Sequence, residues 1–176
     1  MYTPLKDSYL LSETLKIFLK NKDKRIKILD LGTGSGILAE TCRELGFKNI
    51  LTTDINKEAV KLLRKKGFRA RKSDLFSNIN IEKKFDLIIF NPPYLPEDKY
   101  DKEKDTTGGK KGYETILKFL KQAKKHLEKD GESLLLFSSL SFPEIIKKQA
   151  KKLGYKMKLL NKKRIFFEEL YVYLLQ

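Results

Sequence analysis

Asn91-Pro92-Pro93-Tyr94 is the segment of this chain with the most specific chemical consequence. A nitrogen in an amide or aromatic amine is planar, and its delocalised lone pair attacks an electrophile poorly until it is held in line. The side-chain oxygen of Asn91 and the main-chain carbonyl of Pro92 can each accept one N–H. Two fixed acceptors orient such a nitrogen and stabilise the positive charge that builds on it. Pro92 and Pro93 stiffen the turn and offer no competing backbone N–H. Tyr94 can stack on a flat acceptor group. No strong general base is required, because the proton can leave after transfer of a methyl group.

Three further segments suit a nucleoside bearing a methionine. Asp30-Leu31-Gly32-Thr33-Gly34-Ser35-Gly36 is a glycine loop leading into a helix. Gly32, Gly34 and Gly36 let the backbone turn and pass close to a ligand, and the helix N-terminus behind them offers free N–H groups. The spacing G-x-G-x-G, in place of G-x-G-x-x-G, turns the reading away from a dinucleotide pyrophosphate. Asp54-Ile55 follows at the distance where an acidic residue accepts both ribose hydroxyls. Asp54 could equally cap the next helix, a task Asn56 could also perform. Asp74 can accept from an adenine amino group while Leu75 packs on the ring.

These loops need elements that present them along one edge. Strands are expected at Ile26–Asp30, Ile50–Thr53, Phe68–Lys72, Phe85–Phe90 and Glu132–Ser138. Helices are expected at Ser35–Leu45, Lys57–Lys66, Gly112–Lys129 and Phe142–Leu153, with Gly46, Gly67 and Gly131 at or near their ends. Residues 1–24 form an N-terminal helix and a segment covering the ligand. Tyr155–Leu160 and Ile165–Leu174 close the chain without an intervening helix, so they should pair as an antiparallel hairpin. The alternation predicts an α/β fold in one domain, 1–176, with a single doubly wound, mostly parallel seven-stranded sheet. Ligands of such sheets bind beyond the carboxyl ends of the strands, where all four loops fall.

The composition sets outer bounds. With 40% apolar and 35% charged residues, 176 residues suit a folded domain rather than a disordered chain. No apolar run reaches the ~18 residues of a membrane span, and Met1–Leu11 does not read as a secretory leader, so a cytoplasmic protein is expected. Cys42 and His126 are the only residues of their types, which leaves no basis for a disulfide, a His-based triad or a metal site. The net charge of +15 permits non-specific RNA affinity. Lysine clusters at Lys61/Arg64/Lys65/Lys66, Lys147/Lys148/Lys151/Lys152 and Lys162/Lys163/Arg164 could carry it, or could simply solubilise the surface.

Together these segments resemble the HemK-type N5-glutamine methyltransferases, and in particular their short archaeal and eukaryotic branch. The resemblance runs through nearly the whole chain. Tyr2–Leu11 is similar to that branch's N-terminal signature, and Asp105–Gly112 to the glycine-rich segment after its NPPY motif. The resemblance implies a class I, Rossmann-like methyltransferase using S-adenosyl-L-methionine. Asp7 and Ser8 would then lie beside the methionine end of the cofactor. Asp30, Gly32, Gly34, Gly36, Asp54, Asp74 and Asn91 fall on cofactor and catalytic positions. The implied substrate is the GGQ glutamine of a class I translation release factor. The branch also uses a small zinc-binding activator subunit that pairs with an edge strand. The expected edge here, Phe68–Lys72, is charged in a way that opposes strand pairing.

The NPPY tetrapeptide itself leaves the acceptor open. It equally suits adenine N6 or guanine N2 of a nucleic acid, and related enzymes modify lysine. A non-catalytic RNA-binding scaffold would not need Asp54, Asp74 and Asn91–Tyr94 all intact. The charged segment 95–111 could act as a lid or substrate clamp.

Overall fold

The protein is described by a computed structural model that covers residues 6–95, 109 and 111–176. Residues 2–5 of the N-terminal signature, residues 105–108 and 110 of the glycine-rich segment, and most of the expected lid lie outside the described residues.

The chain runs α1 (Lys6–Leu19), β1 (Ile28–Leu31), α2 (Ile37–Glu44), β2 (Ile50–Asp54), α3 (Lys57–Lys65), β3 (Arg69–Lys72), β4 (Phe85–Phe90), α4 (Glu114–Ala123), β5 (Leu127–Ser138), α5 (Pro143–Lys152), β6 (Met157–Ile165) and β7 (Glu168–Leu175). The seven strands form one sheet in the order β3-β2-β1-β4-β5-β7-β6. The first five are parallel, and β7 runs antiparallel to both β5 and β6. The sequence order reverses at β1, whose neighbours are β2 and β4. That places the crevice at the carboxyl ends of these three strands.

Each central strand is a near-continuous apolar run because both faces of the sheet are covered. In β4, Leu87 and Ile89 pack with α1, α2 and α3 through Leu11, Leu15, Ala39 and Leu63. The alternate residues Ile88 and Phe90 pack with α4 and α5 through Phe119, Leu120 and Ile146. Each fully buried Leu, Ile or Phe of these layers contributes about 1.5–3 kcal/mol relative to exposure. The amphipathic helices expected from the sequence supply the covering faces. The glycine stops hold: Gly46 and Gly67 follow α2 and α3 at φ +90° and +83°, donating to carbonyls of the last turn.

The structure corrects two boundaries. The helix expected to reach Lys129 ends at Ala123 and passes through a single 3₁₀ turn, Lys124–His126, directly into β5. His126 is buried there, its ring stacked on Phe76 at 4.6 Å and 9°. Leu127 already pairs with Phe85, and a bulge absorbs Glu128–Gly131 before pairing resumes at Leu87 and Glu132. Gly131 is fixed in that bulge, since a Cβ would stand 2.8 Å from the Phe85 carbonyl oxygen. The second correction concerns the hairpin. Residues 161–164, left between the two expected closing strands, lie within β6; Asn161 sits beside a register shift, and its side chain donates to Thr14 Oγ1 on α1 at 3.0 Å. The turn falls at Phe166-Phe167, between the paired residues Ile165 and Glu168. At the other end of the sheet β3 is the exposed edge strand, as expected.

Candidate active site

A cavity of about 330 Å³ opens at the carboxyl ends of β1, β2 and β4. Asp7, Ser8, Gly32, Gly34, Asp54, Ile55, Asp74, Leu75 and Asn91–Tyr94 all line it. Of the residues singled out from the sequence, only Asp30 and Gly36 do not reach it.

Both of those residues work beneath the floor. Asp30 is fully buried, and its Oδ2 accepts from Thr33 Oγ1 at 2.6 Å, which holds the glycine loop from below. Burial pushes its carboxyl up to about 7, against the Thr33 hydrogen bond, which acts to lower it. Gly36 sits at φ +87°, and a Cβ there would lie 2.7 Å from a Leu63 methyl group. Any side chain would drive the loop away from α3. Gly32, at φ +65°, packs over the ring of Phe90. The N-cap residue of α2 is Gly36, which has no side chain to cap the helix. The first residues of α2, Ile37 and Leu38, line the cavity, where the positive end of the helix dipole favours electronegative atoms.

Asp54 does more than the sequence indicated. Its Oδ2 accepts from the Gly34 N–H and its Oδ1 from the Asn56 N–H, both at 2.7 Å. The carboxylate thus ties the first loop to the second. The capping role falls to Asn56, whose Oδ1 accepts from the Glu58 N–H at 2.8 Å. Each Asp54 oxygen has more than one acceptor direction, so these bonds leave capacity for a ligand hydroxyl. In the third loop Ser73 Oγ donates to the Leu75 carbonyl at 2.7 Å and accepts from the Asn78 N–H at 3.0 Å. That turn holds Leu75 at φ +46°, an unusual conformation for a branched side chain, and presents it to the cavity.

Asn91 stands where β4 ends. Its Nδ2 donates to Asp7 Oδ2 at 3.1 Å and to Ser8 Oγ at 3.3 Å, across 84 and 83 residues of sequence. Asp7 is itself held by the Ser8 N–H, which donates to Oδ1 at 2.7 Å in the first turn of α1. The carboxylate fixes which way the Asn91 amide faces. Its Oδ1 is buried and has no hydrogen-bond partner among the described residues. Such an orphaned acceptor costs stability unless something else donates to it. Pro92 is buried, and Tyr94 is half-buried between the two core layers, its carbonyl accepting from Ser141 Oγ at 2.9 Å. The sequence alone did not show the Asn91–Asp7 and Tyr94–Ser141 bonds, because nothing local signals a partner that far along the chain.

The model of the methyltransferase small domain matches residues 7–158. A Methanocaldococcus jannaschii protein assigned as a protein N5-glutamine methyltransferase is 36% identical over 98% of this chain and 89% of its own length. A release factor glutamine methyltransferase of Koribacter versatilis is 31% identical over 66% of this chain and 48% of its own. Among solved structures, the E. cuniculi Mtq2–Trm112 complex, described as methylating the termination factor eRF1, superposes with a TM-score of 0.82 at 27% identity, covering 99% of this chain and 97% of that one. The fold and the site define a class I methyltransferase of the NPPY type. The chain belongs to the methyltransferase small domain family, and within it to the N5-glutamine methyltransferases that its sequence resembles. Among the described residues no helix is long and apolar enough to cross a membrane.

Proposed function

We propose that this chain transfers a methyl group from S-adenosyl-L-methionine to the side-chain amide nitrogen of the glutamine in a Gly-Gly-Gln loop of a class I release factor. The observation that carries the proposal is the Asn91 amide. It is locked by Asp7 and Ser8 so that an unpartnered acceptor remains at the carboxyl end of β4. Solved structures of the same fold hold S-adenosylmethionine or S-adenosylhomocysteine, and the relatives named above act on glutamine or on release factors.

The residues fit that cofactor. Gly32 and Gly34 keep side chains out of the space where its methionine part would pass, and Asp7 and Ser8 face the same end. Asp54 and Ile55 flank the ribose position, with Asp54 accepting from its hydroxyls. Asp74 and Leu75 take the adenine amino group and ring. Asp30 and Gly36 act indirectly, by fixing the loop. Bound there, S-adenosyl-L-methionine supplies an electrophilic methyl group on a sulfonium sulfur.

On the acceptor side, a primary amide offers two N–H donors in one plane, and Asn91 Oδ1 and the Pro92 carbonyl match them. They hold the nitrogen in line and stabilise its developing charge. Tyr94 packs on the amide plane and restricts water. The surplus proton leaves to solvent after transfer. A lysine ammonium has no free lone pair and gains less from a flat slot, and an adenine needs a flipped-out base and a wider pocket.

The likeness to the Mtq2–Trm112 complex also supports a small activator subunit. The exposed edge strand β3 is the place for it, on condition that the incoming strand is acidic enough to meet Arg69, Arg71 and Lys72. The test of function is transfer of labelled methyl from S-adenosyl-L-methionine to intact release factor, its Gln→Asn and Gln→Lys variants, RNA, DNA and a histone-like protein. Label is expected on intact release factor alone. Label that persists without the glutamine, or that appears only on nucleic acid, overturns the assignment.

A further inference from the structure

Among the described residues, three non-glycine residues have positive φ: Leu75 at +46°, Phe142 at +53° and Phe166 at +41°. Backbone strain of this kind gathers at functional positions. Leu75 lines the cavity. Phe142 follows Ser141, which holds the Tyr94 carbonyl. Phe166 occupies the β6–β7 turn, and nothing in the fold explains why it should.

A two-residue hairpin turn favours Asn, Asp or Gly at a positive-φ position. Here Phe166 and Phe167 fill both places, and they are 84% and 99% exposed, the two most exposed large apolar residues among those described. The core gains nothing from them. A local preference broken without structural return points to a role outside the fold.

The position of the turn supplies that role. β7 runs antiparallel to β5, with Ser138 opposite Leu170, so the turn projects from the carboxyl edge of the parallel strands, the edge that carries the cavity. The Lys6 ammonium lies 4.4 Å from the centroid of the Phe166 ring, and the next two residues, Asp7 and Ser8, hold Asn91. The base of the hairpin is secured where Ser138 Oγ donates to Glu168 and the Glu169 N–H donates to Ser139 Oγ at 2.9 Å. Lys163 and Arg164 are exposed beside the turn, and Lys162 is paired with Glu169 at 3.3 Å.

We infer that Phe166 and Phe167 are a docking element for the protein substrate, seated in an apolar recess with an acidic border on the body of the release factor, apart from the loop that enters the cavity. The inference rests on the function proposed above and deepens it. The cavity recognises an amide, whereas the hairpin tip recognises the protein that presents it. Apolar rings on a rigid turn lose little freedom when they are buried in a partner, and Lys163, Arg164 and Lys6 match an acidic rim.

The double variant Phe166→Asn/Phe167→Gly separates this role from folding, because Asn-Gly suits the turn better than Phe-Phe. Its melting temperature should equal or exceed that of the parent. Methylation of a short Gly-Gly-Gln peptide should stay within about twofold, while KM for intact release factor rises about tenfold to a hundredfold, the size of a lost aromatic anchor. Unchanged kinetics on intact release factor would overturn the docking role and leave the proposed function standing. An equal loss on peptide and protein would also overturn it, since the tip would then be acting on the cavity. Loss of RNA binding with release-factor kinetics intact would assign the tip to nucleic acid instead. If the unaltered enzyme labels neither release factor nor peptide, the proposed function fails, and the docking role with it.

Discussion

The two sides of the cavity are built in different ways. On the β1–β2–β3 side, the loops are braced by near neighbours or by the adjacent strand: Thr33 on Asp30, Asn56 on Glu58, Ser73 on Leu75, and Asp54 on Gly34. On the β4 side the bonds join remote segments: Asn91 to Asp7, Tyr94 to Ser141, and Asn161 to Thr14 behind α1. The first wall is made of loop chemistry that can form as each strand–helix unit folds. The second exists only when α1, β4, the β5–α5 junction and the terminal hairpin are all in place. The proposed cofactor therefore meets a locally determined wall, and the acceptor meets one determined by tertiary structure.

Substitutions can break this contrast. The largest effect is expected at Asn91. Asn91→Ala should lower the rate of methyl transfer by about a hundredfold or more while leaving cofactor affinity within a few-fold, as measured by single-turnover kinetics and calorimetry. Because Asp7 acts through Asn91, Asp7→Ala should cost less than Asn91→Ala and add little to it in the double variant. Fully additive losses would show that the two residues act separately.

Asp54→Ala tests the other wall. Two hydrogen bonds to a carboxylate are worth about 1.5–3 kcal/mol each before non-additivity. Even at the low end for the pair, about 3 kcal/mol, cofactor affinity should fall by about a hundredfold or more, with the rate at saturating cofactor much less affected. An affinity equal to that of the parent would reduce Asp54 to a tie between Gly34 and Asn56.

The smallest effect is expected from Asp30, and it appears in stability rather than rate. Burial lifts its folded carboxyl to about 7, while an unfolded aspartate titrates near ~3.9. Between these values the folded chain keeps a proton that the unfolded chain has released. Its contribution to stability therefore declines as pH rises from about 4 to about 7, and is level outside that window. Asp30→Asn does not titrate. The melting temperature of the variant minus that of the parent should rise across the same interval. A constant difference would mean that Asp30 is not held neutral by its surroundings.

The same contrast explains what the sequence revealed. Gly32, Gly34, Asp54, Asp74 and Asn91 could be picked out as residues of the cavity wall because glycine spacing and strand-end polar groups are local signals. The sheet was legible from its apolar runs, including the antiparallel closing hairpin. The α4–β5 boundary was not, because Leu127 continues the helical apolar pattern while its pairing with Phe85 is a tertiary fact. The closing turn was placed too early for the same reason: Asn161 belongs to β6, with a partner on α1, 147 residues away. Asp30 was expected at the end of the first strand and lies within β1, but its burial beneath the cavity could not be seen without the covering helices.

The hydrogen bond between Thr14 and Asn161 also orders events in time. At about 5–20 residues per second, synthesis places Asn161 about 7–30 s after Thr14. α1 can pack on α2 early, through Ser12 and Thr41 among others, but it is clasped from behind only when β6 has emerged. Asp7 rides on that helix. The residue that aims Asn91 is translated well before the clasp that steadies its helix. A nascent chain thus carries the β1–β2–β3 wall of its cavity well before the β4 wall is secured, and the complete cavity waits on the emergence of β6.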